Sequence, residues 1–192
     1  MDNKNNLKKI ASEWITASPE KAQAENEYYC QTRDIFQARL DRMLHYLLKE
    51  KSISEENTYI VSAMAGEIGN NSFDHNLGKW PDVPGIFFGY AISEKLEIIL
   101  ADRGQGILAT LQKVKPELKS DSAALETAFL ERISGRAPER RGNGLKFVKE
   151  NIKSQKMHLT FISGNAQAKL NDKMEIVETE NIIAGCLAII TL

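Results

Sequence analysis

Glu67, Asn71 and Asp74 set a carboxylate, an amide and a second carboxylate along what reads as one helix, with His75 next in the chain. At about 100° per residue, Asn71 falls ~40° from Glu67, Asp74 ~20° to the other side and His75 ~80° away. Hard oxygens on so narrow a stripe can hold Mg²⁺ through an amide oxygen and water, an ion that keeps several waters. Glu67 could then orient or deprotonate an attacking group. Without a ligand, the same stripe is simply a solvated helix face.

Two glycine-bearing motifs follow. Asp102-Arg103-Gly104-Gln105-Gly106 ends an apolar run, Leu96 to Ala101. A carboxylate there can accept a hydrogen bond from an exocyclic amine, and the glycines permit close approaches that a Cβ forbids. Alone, the motif is also an ordinary strand-to-helix turn. Gly142-Asn143-Gly144-Leu145 precedes a helical stretch, so its backbone N–H groups and the positive helix end suit phosphate. Arg136, Arg140, Arg141 and Lys146 crowd the same place and could neutralise charge there, although a basic surface loop would look alike. No Walker-type phosphate loop occurs in the sequence.

The elements that must position these groups follow from periodicity. Residues 5–17 read as a short amphipathic helix, either folded back on the domain or meeting a partner. Residues 29–50 form a second helix and 54–76 a third, with Ser54 as N-cap and Glu55 and Glu56 at its positive end. Gly66 and Gly69 within it suggest close packing against a neighbour. After a glycine- and proline-containing loop come strands over 86–92 and 95–101. The long stretch 104–144 holds a short helix after Gly106 and another over 121–134, an excursion of the kind that is functional or disordered. A helix over 144–154 precedes three strands: 157–163, one at about 166–170 or 174–178, and 185–191. Helices and antiparallel strands are segregated, which predicts an α+β two-layer sandwich: one mixed, mostly antiparallel sheet with helices on one face.

Taken together, the three motifs resemble the Bergerat-type ATP-binding fold of the GHKL superfamily, which includes gyrase, heat-shock chaperone, histidine-kinase and mismatch-repair ATPases. Glu67-x3-Asn71 matches its N-box, Asp102-x-Gly104-x-Gly106 its adenine-side box and Gly142-x-Gly144-Leu145 its second glycine box. The likeness spans about residues 35–192. With His75 and the stretch 123–132, it lies nearest the small anti-sigma-factor serine kinases. It implies that Asn71 ligands Mg²⁺ and that Glu67 is the general base or positions water. Asp102 would take the adenine amine over Gly104 and Gly106. Arg141, Gly142, Gly144, Leu145 and Lys146 would meet the phosphates beneath a lid at 107–143. Two positions depart from the pattern. Cys186, with Thr191 further on, stands where relatives often carry a threonine, and the lid box has only two glycines.

The domain expectation is an arm over 1–28 and an ATP-binding domain over 29–192. The expected activity is a regulatory ATPase or protein serine kinase using ATP and Mg²⁺, with a regulatory protein as partner. A non-hydrolysing switch that engages a partner through its lid is the alternative, and homodimerisation stays open. At 192 residues and a net charge of −1, the chain gives no overall pull toward nucleic acid. It has no apolar run of membrane-spanning length and no signal-like start, so a cytoplasmic, soluble protein without a membrane partner is expected. Cys30 and Cys186 lack companions at metal spacing. His45 is followed by Tyr46-Leu47 rather than the acidic residue expected after a phosphoacceptor. His158 reads as structural. Trp80 reads as a loop anchor near the pocket mouth, or as a partner contact.

Overall fold

The computed structural model describes residues 6–22, 27–131 and 144–192. Its helices are α1 (Asn6–Thr16), α2 (Pro19–Ala22), α3 (Arg33–Leu47), α4 (Glu55–Asn76), α5 (Gly106–Leu111), α6 (Asp121–Leu130) and α7 (Gly144–Ser154). Its strands are β1 (Tyr29–Cys30), β2 (Ile86–Ile92), β3 (Leu96–Asp102), β4 (His158–Leu170) and β5 (Met174–Thr191). The strands form one open sheet in the order β1-β2-β3-β5-β4, and every neighbouring pair is antiparallel. This is the α+β sandwich expected from the sequence.

Period-two alternation builds the layers. Phe88, Ile98, Leu100, Ala188 and Ile190 point to the face covered by α3, α4, α6 and α7. Phe87, Ile99, Ala101, Leu187 and Ile189 point the other way, onto Leu7, Ala11, Trp14 and Ile15 of α1. The domain's own helices thus occupy one face, as expected, while the arm folds back over the other. An eleven-residue helix is marginal in water by itself. Burial of its large apolar side chains, at roughly 1.5–3 kcal/mol each, is what holds α1 in place.

Side-chain caps set the helix starts. Ser54 Oγ accepts from Asn57 N at 3.2 Å, the N-cap anticipated for α4, and Thr32 and Ser120 cap α3 and α6 alike. Gly69 serves close packing as expected: a Cβ there would lie 2.3 Å from the Phe36 ring on α3. Two boundaries differ from the sequence reading. Tyr29 and Cys30 pair with Phe87 and Ile86 as β1, so α3 begins only at Arg33. The three expected C-terminal strands are two long ones forming a hairpin, β4 and β5. Gly164, at φ +59°, belongs to an irregularity that bends β4 without ending it, and Asp121 Oδ2 accepts from Asn165 N beside it.

The excursion after Gly106 carries the two helices expected within it. Residues 106–131 form α5 and α6 around a small core of Leu111, Leu118 and Ala124. Leu125 and Phe129 enter the main core, with Phe129 edge-on to Phe161 at 5.6 Å. Lys115 is ion-paired with Glu131 at 2.6 Å. This part of the segment packs against the domain. Residues 132–143 of the expected lid lie outside the described residues. Among the described residues, no helix is long and apolar enough to cross a membrane.

Candidate functional site

A cleft opens between the C-terminal half of α4 and the ends of β3 and β5, with α5 and the start of α7 closing its sides. From α4, Asn71, Ser72, His75 and Asn76 face it, two adjacent pairs one turn apart on one helix face. From the sheet come Asp102 and Cys186, and Gly106 and Leu145 contribute from the two flanking helices.

Asp102 is the buried floor of this cleft, 3% exposed. Its Oδ2 accepts from Ser72 Oγ at 2.7 Å and its Oδ1 from Gly104 N at 2.8 Å. Burial pushes the carboxyl above its ordinary range, and these hydrogen bonds oppose the rise. Each carboxylate oxygen carries two acceptor sites, so capacity remains for a donor arriving from the cleft.

The register of β3 on β5 sets Cys186 directly opposite Asp102, and the register of β5 on β4 sets Ser163 opposite Cys186. The three side chains form a polar row across the floor. Ser163 Oγ accepts from Ile107 N at 3.0 Å and donates to the Gly185 carbonyl at 3.1 Å, fixing the start of α5. Cys186 Sγ lies 3.6 Å from Ser163 Oγ, and burial raises its thiol pKa well above the usual range. Cys186 therefore does occupy the spot beside the aspartate, while Thr191 pairs with Glu97 and His158 at the far end of the strand.

The glycines of the second motif act through close approach. A Cβ on Gly104 would lie 2.1 Å from Asn76 Nδ2. Asn76 Oδ1 accepts from Gln105 N at 2.9 Å, and its Nδ2 donates to the Ser72 carbonyl at 2.8 Å. Gln105 Nε2 donates to the His75 carbonyl at 2.9 Å, so the turn is clamped onto α4. Gly106 adopts φ +76°, a region open to glycine, with Ser163 Oγ 3.1 Å from where a Cβ would sit.

The third motif meets the first. Gly144 begins α7 so near α4 that a Cβ on it would approach Glu67 Oε2 to 2.7 Å and Asn71 Nδ2 to 2.9 Å. Glu67 is exposed at this rim, Asn71 lines the cleft below it, and Leu145 and Lys146 are half-buried. The orphan N–H groups of the first turn of α7 therefore start beside Asn71. Arg141 and Gly142 lie outside the described residues, as do Arg136, Arg140 and Asn143.

Asp74 does not join Asn71. It forms an ion pair with Arg33 of α3, and one turn earlier Asn70 Oδ1 accepts from Gln37 Nε2 at 2.9 Å. Residues 70 and 74 flank the α3–α4 contact, so the stripe read from the sequence divides between two neighbours. Trp80 stacks edge-on to Phe73 at 6.2 Å, as a loop anchor.

Among the described residues, no group of three or more His, Cys, Asp or Glu could hold a metal ion. The oxygens at the rim, the Asn71 amide and the Glu67 carboxylate, suit a hard cation that takes one or two protein ligands and completes its shell with water and phosphate. Ser72, Asn76 and Ser163 were not singled out in the sequence. Ser72 and Asn76 recur at i+1 and i+5 from Asn71, a helical signal, whereas Ser163 depends on long-range register. Comparison with protein-family models and with curated proteins finds no match, so the family resemblance rests on the motifs and their placement.

Proposed function

We propose that this chain is a Mg-ATP-binding domain of the GHKL type, acting as a regulatory ATPase or protein serine kinase on or with a regulatory protein in the cytoplasm. The observation that carries this reading is convergence. Three motifs far apart in sequence contribute to one cleft, with Asp102 at its floor, Asn71 on its wall and Gly144 at its rim.

In this reading Asp102 accepts the exocyclic amine of the adenine, and Ser72 and Gly104 N hold the carboxylate in place for it. Gly106 lets the ring approach the backbone. Asn71 offers its amide oxygen to Mg²⁺, which when bound neutralises charge developing on the phosphates. Leu145 packs beside the nucleotide, and the first N–H groups of α7, with Lys146, meet the phosphates. Glu67 at the rim positions or deprotonates the attacking water or hydroxyl. Catalysis would then rest on positioning and electrostatics, with no covalent step on the protein.

Titration calorimetry with ATP and Mg²⁺ tests the reading directly. Wild type should bind, and Asp102→Asn should lose roughly tenfold or more, since hydrogen bonds to charged groups contribute about 1.5–3 kcal/mol. Absence of binding by wild type overturns the reading. Glu67→Ala should bind ATP while losing phosphate release or transfer. Near-zero turnover in both proteins would leave a nucleotide-dependent switch without catalysis.

A further inference from the structure

Arg103 stands between the floor aspartate and Gly104, yet it faces away from the cleft. Alternation along β3 sends Asp102 to the helical layer and Arg103 to the arm. Arg103 is 7% exposed. Its Nη1 donates to the Trp14 and Ile15 carbonyls, each at 2.9 Å. These belong to the last turn of α1, whose terminal carbonyls lack partners within the helix. Its Nε donates to the Asp82 carboxylate at 3.0 and 3.3 Å, and Nη2 pairs with the same group. One side chain therefore ties the C-terminal end of α1, the loop before β2 and the 102–104 turn into a single joint.

From this we infer that the arm is a regulatory element of the cleft and that Arg103 is the positioning residue through which it acts. The inference rests on the nucleotide reading and adds regulation to it. With the arm docked, Arg103 is held from both sides, and the peptide linking Asp102 to Gly104 is held with it. The Gly104 N to Asp102 Oδ1 hydrogen bond lies within that same peptide pair, so its geometry follows. With the arm displaced, Arg103 loses two acceptors, the apolar face of Phe87, Ile99 and Leu187 is uncovered, and the carboxylate is less well placed for an amine. Linkage then requires the converse: a nucleotide on Asp102 tightens the arm. A protein that captures the arm would weaken nucleotide binding, and saturating nucleotide would oppose capture.

The test uses the full chain in four forms: wild type, Arg103→Lys, Arg103→Ala and Leu7→Asp, the last placing a charge in the arm's buried face far from the cleft. Affinity for ATP with Mg²⁺ is measured by calorimetry, and hydrogen exchange of residues 6–22 is followed with and without nucleotide. Leu7→Asp should weaken ATP binding at least fivefold, within the usual span of coupling between sites. ATP should slow exchange in the wild-type arm. Arg103→Lys keeps the charge but loses the fork, and should retain folded near-ultraviolet dichroism while losing most of the nucleotide effect on the arm. A merely structural arginine would instead speed arm exchange equally with and without ATP. Wild type that binds ATP with unchanged arm exchange, together with Leu7→Asp of unchanged affinity, overturns the coupling and leaves the nucleotide site standing. Failure of wild type to bind any nucleotide overturns both.

Discussion

Ser72 and Asp102 meet at the floor of the cleft, the hydroxyl of α4 donating to the carboxylate of β3 at 2.7 Å. This bond opposes the rise in pKa that burial imposes on Asp102. A carboxyl whose folded pKa is raised adds stability below its unfolded value and loses that contribution as pH rises through the folded one. Ser72→Ala removes a donor to the charged form, so protonation of Asp102 should set in at higher pH. The variant should lose about 1–3 kcal/mol near neutrality and distinctly less in mild acid. Urea denaturation at both conditions checks this; an equal loss at each would remove the carboxylate from the explanation.

Gly104→Ala should be costly because of what its Cβ meets. The Asn76 side chain, 2.1 Å away, is 4% exposed and clamps both Gln105 N and the Ser72 carbonyl. Displacing it leaves buried groups unsatisfied at about 1–3 kcal/mol each. Gly78 is the control. It has φ +68° but nothing near its Cβ position, so Gly78→Ala should carry only roughly 1–2 kcal/mol of backbone strain. Nucleotide affinity, read by calorimetry, should fall for the first substitution and hold for the second.

The joint at Arg103 should be visible in acid. Hydrogen bonding from Arg103 is the main influence holding the Asp82 carboxyl below its ordinary value. A depressed folded pKa contributes stability above the unfolded value of about 3.8 and loses it as pH falls through the folded one. Asp82→Asn should therefore flatten the acid limb of the stability curve, with wild type and variant converging at the lowest pH. Denaturation midpoints that run parallel across the acid range would show that Asp82 is not linked to folding.

Lys156 should be a stabilising site. It closes the α7–β4 turn at φ +54°, with Met157 N bonding back to the Ile152 carbonyl at 3.0 Å. This left-handed position after a helix end favours glycine. Lys156→Gly should gain roughly 0.5–1 kcal/mol after allowing for glycine's extra freedom when unfolded. Thermal unfolding should shift upward by about 2–4 °C per kcal/mol for a chain of this size.

Local chemistry was readable in the chain and long-range register was not. The Ser54 cap, the close packing at Gly69 and the aspartate ending an apolar strand each depend on a few neighbouring residues, and each stands as expected. The helix bearing Glu67 and Asn71 lies where the periodicity puts it, but the stripe of Glu67, Asn71 and Asp74 divides, because nothing nearby in sequence announces Arg33. The expected strand 157–163 stops at a glycine that β4 runs through, since a glycine in an irregular strand resembles a terminus until its partner strand is known. Ser163 and Cys186 reach Asp102 only through the pairing of β3, β5 and β4. The arm's amphipathic stripe was visible, but not the face that would receive it, because strands buried on both sides read as continuous apolar runs.

That second covered face has a consequence for the order of assembly. Helix α1 contacts β2, β3 and β5, so a segment that precedes the whole sheet in chain order must wait for the last strand before its seat is complete. Contacts so distant along the chain form late and slow the search for the native state. During synthesis, Leu7, Trp14 and Ile15 have no finished sheet to cover, and the apolar row awaiting them is equally bare. Apolar surface left bare in this way is the kind that favours aggregation before a fold is complete.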